Sequence, residues 1–218
     1  MKLVIGNKNY SSWSLRPWLL LTHFKLPFEE INISLGAENL SDQLQQFSPS
    51  CRVPVLIDGP VTVWDSLAIC ETVSEQYLDG KGWPTEETAR AHARSISAEM
   101  HSSFLALRNE LPMNCRARRK IAISPLALKD IARIDTIWSD CISRSNAGGP
   151  WLFGDFSIAD CMFAPVVLRF RTYGIGGSEA SQRYMENVLA NKHLLAWIDA
   201  GKKEVEVLPE DEAGEDVH

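Results

Sequence analysis

The chain has 218 residues, 45% of them hydrophobic, with 22 Lys and Arg against 28 Asp and Glu for a formal net charge of −6. At roughly 100–200 residues per domain, that length allows one large domain or two small ones, and the apolar fraction excludes wholesale disorder. Seven acids (Glu204, Glu206, Glu210, Asp211, Glu212, Glu215, Asp216) fall in the last 15 residues, which hold no Lys or Arg, so the other 203 residues carry 21 acids against 22 bases. A body so near neutrality lacks the basic field of a nucleic-acid binder. The acidic end, residues 205–218, reads as a solvated tail.

The longest apolar run, Cys161 to Leu168, spans eight residues and contains Pro165, far short of the roughly 20 that cross a bilayer. The N-terminus turns polar at Asn7, before any export-type apolar core is complete. These features imply a cytoplasmic protein with no membrane partner. The five cysteines (Cys51, Cys70, Cys115, Cys141, Cys161) are odd in number and widely spread, so neither a disulfide framework nor a metal site is expected. Cys51 reads as a small buried residue.

In chain order, Lys2 to Gly6 predicts a strand and Ser14 to Phe24 a helix, with Pro17 tolerated in its first turn. Phe28 to Leu35 alternates as a strand does, Asp42 to Phe47 suits a short helix, and Pro54 to Ile57 a buried strand. Asp58-Gly59 is a hairpin signal before the strand Val61 to Trp64, and Ser66 to Leu78 reads as a helix. The order β-α-β-α-β-β-α defines an α/β layer over residues 1–80. Gly80-Lys81-Gly82-Trp83-Pro84 then punctuates the chain. Beyond it strand signals disappear, and residues 85–204 read as all-helical. Thr85 caps a long helix to about Leu111. Further helices follow at Pro125 to about Ser145, Ser157 to about Tyr173, Glu179 to Leu189 and His193 to Glu204. The Asn114-to-Lys120 basic cluster reads as a solvated loop.

Gly154-Asp155-Phe156-Ser157-Ile158-Ala159-Asp160 carries the sharpest local signal. Ser157 and Asp160 are spaced for a capping box, each side chain serving the other's amide. That is folding chemistry. Three other segments complete the pattern: Ser11-Ser12-Trp13-Ser14-Leu15-Arg16, Arg52-Val53-Pro54-Val55-Leu56, and Asp65-Ser66-Leu67-Ala68-Ile69. In this order and spacing they resemble the soluble glutathione transferase family, from about Leu3 to Ile198. The first is similar to the Ser-Ser-Cys-x-x-Arg segment of the zeta class, with Trp13 in place of Cys. The second is similar to the family's Val-Pro segment, whose Pro is cis, and the third to its acidic-or-amide-Ser-x-Ala-Ile segment.

The resemblance implies a thioredoxin-like N-terminal domain followed by an all-helical one. It also implies a homodimer that takes glutathione as co-substrate, with no metal. Serine hydroxyls at the strand-to-helix turn face free amides and a helix dipole that favour an anion. A hydroxyl donating to a thiolate lowers the thiol pKa from near 8.5, so glutathione supplies the nucleophile. The family's catalytic Ser falls on Ser11, with Ser12 the alternative, and all three of Ser11, Ser12 and Ser14 are also suited to capping the helix. Ser12, the Val53 backbone beside Pro54, Asp65, Ser66 and Arg52 are the expected glutathione ligands. Dithiol redox chemistry is not expected where serines replace the cysteines of thioredoxins.

A second-substrate pocket is expected between the two halves. Met100, His101, Phe104 and Arg108 share a helical face, and Trp13 and Tyr173 join them. Such a stripe also suits a core. Zeta enzymes grip a dicarboxylate with an Arg after the capping-box helix. That position falls here on Thr172, with Arg169 and Arg171 out of register. The expected activity is therefore addition of glutathione to a small electrophile, in detoxification chemistry. Glutathione-dependent cis-trans isomerisation and a non-catalytic regulatory role on the same fold are the alternatives.

Overall fold

In the computed structural model, which describes residues 1–144 and 148–217, β1 (Lys2–Gly6) lies inside a four-stranded sheet ordered β2-β1-β3-β4. Leu3, Val4 and Ile5 are all fully buried. Both faces of the strand are covered, which is why its apolar run does not alternate. β2 (Glu29–Ile33) pairs parallel to β1, β3 (Val55–Asp58) antiparallel to β1, and β4 (Val61–Val63) antiparallel to β3. The Asp58-Gly59 hairpin forms as expected, with Gly59 at φ +56°, a conformation glycine adopts without steric cost.

The register determines where function can gather. Val4 pairs with Val55, and Leu56 with Val63. The end of β1, the start of β3 and the end of β4 therefore meet at one edge of the sheet. The segments leaving those ends carry Ser11–Ser12, Val53–Pro54 and Asp65–Ser66. α1 (Ser12–His23) connects β1 to β2, α2 (Leu40–Gln45) precedes β3, and α3 (Ser66–Tyr77) follows β4. α1 starts two residues earlier than the sequence suggests, so Pro17 lies in its second turn. There it deprives the Trp13 carbonyl of its i+4 donor.

The C-terminal part is built around α7 (Ile158–Tyr173), of which only Arg171 escapes burial. A helix apolar on all sides belongs at a core centre. α7 packs against α1, α4 (Glu87–Ser102) and α8 (Glu179–Leu189), while α5 (Leu105–Glu110) packs on α6 (Pro125–Arg144). α9 (Lys192–Lys203) returns to α1. One hydrophobic core runs through both parts, from Leu3 to Ile198. Among the described residues no helix is long and apolar enough to cross a membrane.

Five expectations need correction. The long helix from Thr85 to Leu111 is two helices, broken where Phe104 takes a left-handed φ of 63°. That turn lets Phe104 bury its ring, and Arg108 closes the broken end by donating to the Ser103 carbonyl at 3.0 Å and to the Met100 carbonyl. The cap of α4 is Glu86, whose carboxylate accepts from Thr88 N at 2.9 Å and Ala89 N at 2.6 Å. Strands do not end at residue 80: β5 (Arg119–Lys120) pairs with β6 (Glu215–Asp216). The acidic tail and the basic loop are therefore not solvated ends but each other's partners. Cys51 is half-buried at φ 48°. The predicted end of α6 at Ser145 lies outside the described residues.

Candidate active site

The capping box anchors the helix beneath the site. Asp160 Oδ2 accepts from Ser157 N at 2.8 Å and Ser157 Oγ at 3.1 Å, and Oδ1 from Leu152 N and Tyr184 OH, each at 3.2 Å. Burial raises this carboxyl to about 6 in spite of those donors. α7 is thereby tied to Leu152 and to α8, and its buried Arg169 reaches the serine turn at Ser12.

Ser11 is the N-cap of α1. Its Oγ donates to Ser14 Oγ at 2.7 Å and accepts from Ser14 N at 3.4 Å. Ser14 Oγ in turn accepts from Gly6 N at 3.1 Å. Ser12 is placed differently: its Oγ accepts from Arg169 Nη2 at 3.2 Å, and among the described residues its proton has no acceptor. Arg169 spends its other end on the Arg108 and Leu111 carbonyls, at 3.2 and 2.5 Å. Burial, then the nearby Arg108, lowers Arg169 to about 10.

The Val53–Pro54 peptide is cis, with Val53 half-buried, Pro54 buried and Arg52 exposed. Asp65 caps α3, its Oδ1 accepting from Leu67 N at 3.1 Å and Ala68 N at 3.5 Å. Its other oxygen meets His101 Nε2 at 2.9 Å, an ion-pair geometry that ties α3 to α4 across the cleft. Ser66 is fully buried and its Oγ accepts from Arg16 Nη1 at 3.4 Å. Arg16 is likewise fully buried, and among the described residues its Nε and Nη2 have no partner. Burial, then Arg108 and Arg169, pushes its guanidinium well below the ordinary arginine range.

Trp13 links these groups. Its ring centroid lies 4.2 Å from the Arg16 guanidinium carbon and 4.7 Å from that of Arg108, both within cation–π range. His101 meets the same ring edge-on at 5.3 Å. Of the expected pocket residues, Met100 and Phe104 are core, only 1% and 5% exposed. Trp13, His101 and Arg108 do gather at the cleft. Tyr173 is buried, its hydroxyl unpaired among the described residues, and burial raises it to about 12. Thr172 is spent structurally, donating to the Asn114 and Leu168 carbonyls at 2.8 and 2.9 Å. Sequence reasoning undervalued Arg16 and Arg169. The signal was present: a charge inside a wholly apolar helical run must find partners when buried.

A cis-Pro loop and two helix N-termini at one sheet edge, faced by a helical bundle, define the glutathione transferase fold. Family models agree: "Glutathione S-transferase, N-terminal domain" matches residues 10–76 and "Glutathione S-transferase, C-terminal domain" residues 90–200. The chain belongs to the glutathione S-transferase family. It is 26% identical over 157 residues to a probable maleylacetoacetate isomerase of Caenorhabditis elegans, covering 72% of each chain. It is 22% identical over 165 residues to a stringent starvation protein A homolog of Histophilus somni, covering 74% of each. A glutathione transferase homolog from Burkholderia, solved with bound glutathione, superposes with a TM-score of 0.69 at 23% identity over 93% of this chain and 98% of that one.

Proposed function

We propose that the chain is a serine-type glutathione transferase in which Ser12, in preference to Ser11, stabilises the thiolate. The observation that carries this reading is the Ser12–Arg169 contact: the guanidinium occupies the hydroxyl as a donor and leaves its proton free for a sulfur. Ser11, by contrast, spends its proton on Ser14. The cation and the amide end of α1 both favour a nearby anion.

In this reading residues 1–80 hold glutathione and residues 85–204 the electrophile. The Val53 backbone beside the cis bond pairs with the cysteinyl residue as an added strand. The Ser66 amide and Asp65 take the γ-glutamyl end, and Arg52 takes the glycyl carboxylate. The thiol proton leaves to solvent. The sulfur lone pair then forms a C–S bond as a leaving group departs with its electrons, or as an olefin takes up a proton at the neighbouring carbon. Ionisation and proximity supply the rate. The reading carries with it the cytoplasmic homodimer typical of the family.

A second reading is glutathione-dependent cis-trans isomerisation of an anionic olefin, which returns glutathione unchanged. Arg169 supports it, since the residue set aside as out of register reaches the serine turn, whereas Thr172 does not. Product analysis separates the two.

The test is calorimetry with reduced glutathione and ultraviolet titration of the bound thiol, for wild type, Ser12→Ala, Ser11→Ala and Ser66→Ala. Expected are binding by wild type, a raised thiol pKa in Ser12→Ala, a smaller rise in Ser11→Ala and weaker binding in Ser66→Ala. No binding by wild type at about 10 mM, a free energy weaker than about −2.7 kcal/mol, would overturn the reading in favour of a non-catalytic regulator.

A further inference from the structure

Among the described residues, the turn that delivers the serine pair is held by its own domain only through side chains, Asn7 Oδ1 accepting from Leu35 N at 2.7 Å and Lys8 Nζ pairing with Glu30 at 2.7 Å. Residues Asn7 to Tyr10 connect β1 to Ser11, and the C-terminal acidic segment grips them one after another. Glu204, the first residue beyond α9, places one carboxylate oxygen 2.7 Å from Lys8 N and the other 2.9 Å from Asn9 N. No other acceptor serves those two amides among the described residues. Glu206 accepts from Asn7 Nδ2 at 2.5 Å and from Ser34 Oγ at 2.6 Å. Glu212 accepts from Tyr10 OH at 2.6 Å. The segment is itself secured by Arg116, which donates to the Glu204 and Glu206 carbonyls at 2.6 and 2.8 Å. Arg119 pairs with Glu212 and, at 3.2 Å, with Asp216.

The fit leaves no slack. The Asn9 side chain is fully buried and is held by Asn114 Oδ1 at 3.0 Å and Arg116 N at 3.0 Å. Gly201, in the last turn of α9, lies so close that a Cβ there would stand 3.0 Å from Asn9 N and 3.1 Å from Asn9 Cα. The site serines follow this turn through backbone hydrogen bonds: Ser11 N donates to the Asn7 carbonyl at 2.8 Å and Ser12 N to the Tyr10 carbonyl at 2.8 Å. Wherever Asn7 to Tyr10 stand, Ser12 stands.

We propose that Glu204 is a positioning residue for the thiolate site: its carboxylate holds the Lys8 and Asn9 amides and so sets where the Ser12 hydroxyl and the amide end of α1 meet sulfur. This rests on the reading of Ser12 as the thiol-stabilising group. The charge matters as well as the shape. A carboxylate accepts both amides, whereas a carboxamide offers one oxygen and turns an N–H₂ against the other donor. Proline or glycine in the turn is not required for precision when a second segment fixes it.

The test uses the full-length protein as wild type, Glu204→Gln, Glu204→Ala and, as control, Glu210→Gln, whose side chain is exposed. Two readouts are taken: the pH titration of the bound glutathione thiolate, and amide hydrogen exchange over residues 8–14 without ligand. Glu204→Gln should lower kcat/KM at neutral pH about tenfold, the cost of one charge-assisted hydrogen bond. It should raise the bound thiol pKa, change the glutathione Kd by much less, and speed exchange over residues 8–14 about tenfold with the remaining core protected. Glu210→Gln should match wild type in every readout. A Glu204→Gln protein with wild-type thiol titration and wild-type exchange overturns this proposal alone. A wild-type protein that leaves bound glutathione protonated overturns the thiol-site reading and this proposal with it. Loss of fold in Glu204→Ala is judged against Glu204→Gln, which keeps the side-chain volume.

Discussion

Asp160 offers a pH test of the capping box whose size can be worked out. Its carboxyl is 1% exposed, takes four donors and is still raised by burial from 3.8 to about 6. A group raised on folding favours the native state least once both states are ionised. Below the unfolded value both states hold the proton. As pH rises toward the folded value, the unfolded chain ionises first and is stabilised. A midpoint moved this far costs about 3 kcal/mol in full, and about 2 kcal/mol of that falls between about pH 4.5 and about pH 7.5. Asp160→Asn removes the titration. It also costs hydrogen bonds, because one amide donor must face an N–H₂, but that cost does not change with pH. The prediction therefore concerns a difference of differences: relative to wild type, Asp160→Asn gains about 2 kcal/mol over that range. Urea unfolding reads it as a relative midpoint gain of about 1 M at a slope of about 2 kcal/mol per M. Asp211, also raised to about 6 by burial, is present in both proteins and cancels. A gap that stays constant with pH would refute the reasoning, because the carboxylate would then be as well solvated by its donors as by water.

Three further outcomes follow from the geometry. Ser11→Ala removes the cap of α1 and should cost about 1 kcal/mol in thermal or urea unfolding, with less effect on the bound thiol than Ser12→Ala. Gly201→Ala forces α9 off the Asn9 backbone and should cost about 1–3 kcal/mol, with faster exchange in the Asn7–Tyr10 turn. His101→Ala breaks a partly exposed pair with Asp65 and should change stability by less than about 1 kcal/mol. A larger loss would mean that the cleft-spanning contact is structural.

The legible parts of the sequence are those set by local periodicity or by short-range chemistry. The buried run of β1, the Asp58-Gly59 hairpin, the largely apolar α7 and the Ser157–Asp160 box each have their cause within a few residues, and each forms. The Phe104 break was not legible. Residues 87–110 contain neither Gly nor Pro to break a helix, and the interruption comes from where a buried aromatic ring has to go. Ser11 and Ser12 were legible as a pair but not as individuals. What distinguishes them is Arg169, 157 residues away from Ser12, and its register along α7 is decided by packing.

The acidic C-terminus shows why charge runs mislead when read locally. Seven acids without a base among them look solvated because no partner lies nearby in sequence. The partners are two backbone amides, a tyrosine hydroxyl and two arginines, between 88 and 202 residues away. Backbone amides carry no sequence signature at all, so the strongest reason for Glu204 to be an acid cannot be found in any side-chain pattern. The neutral body could have raised the question, since its basic excess is concentrated in Arg116 to Lys120 and the acids in the tail. Two opposite charge runs in one chain of otherwise balanced composition are as consistent with a clasp as with two solvated ends. The clasp is what allows a two-part fold to hold its serine turn from the far end of the chain.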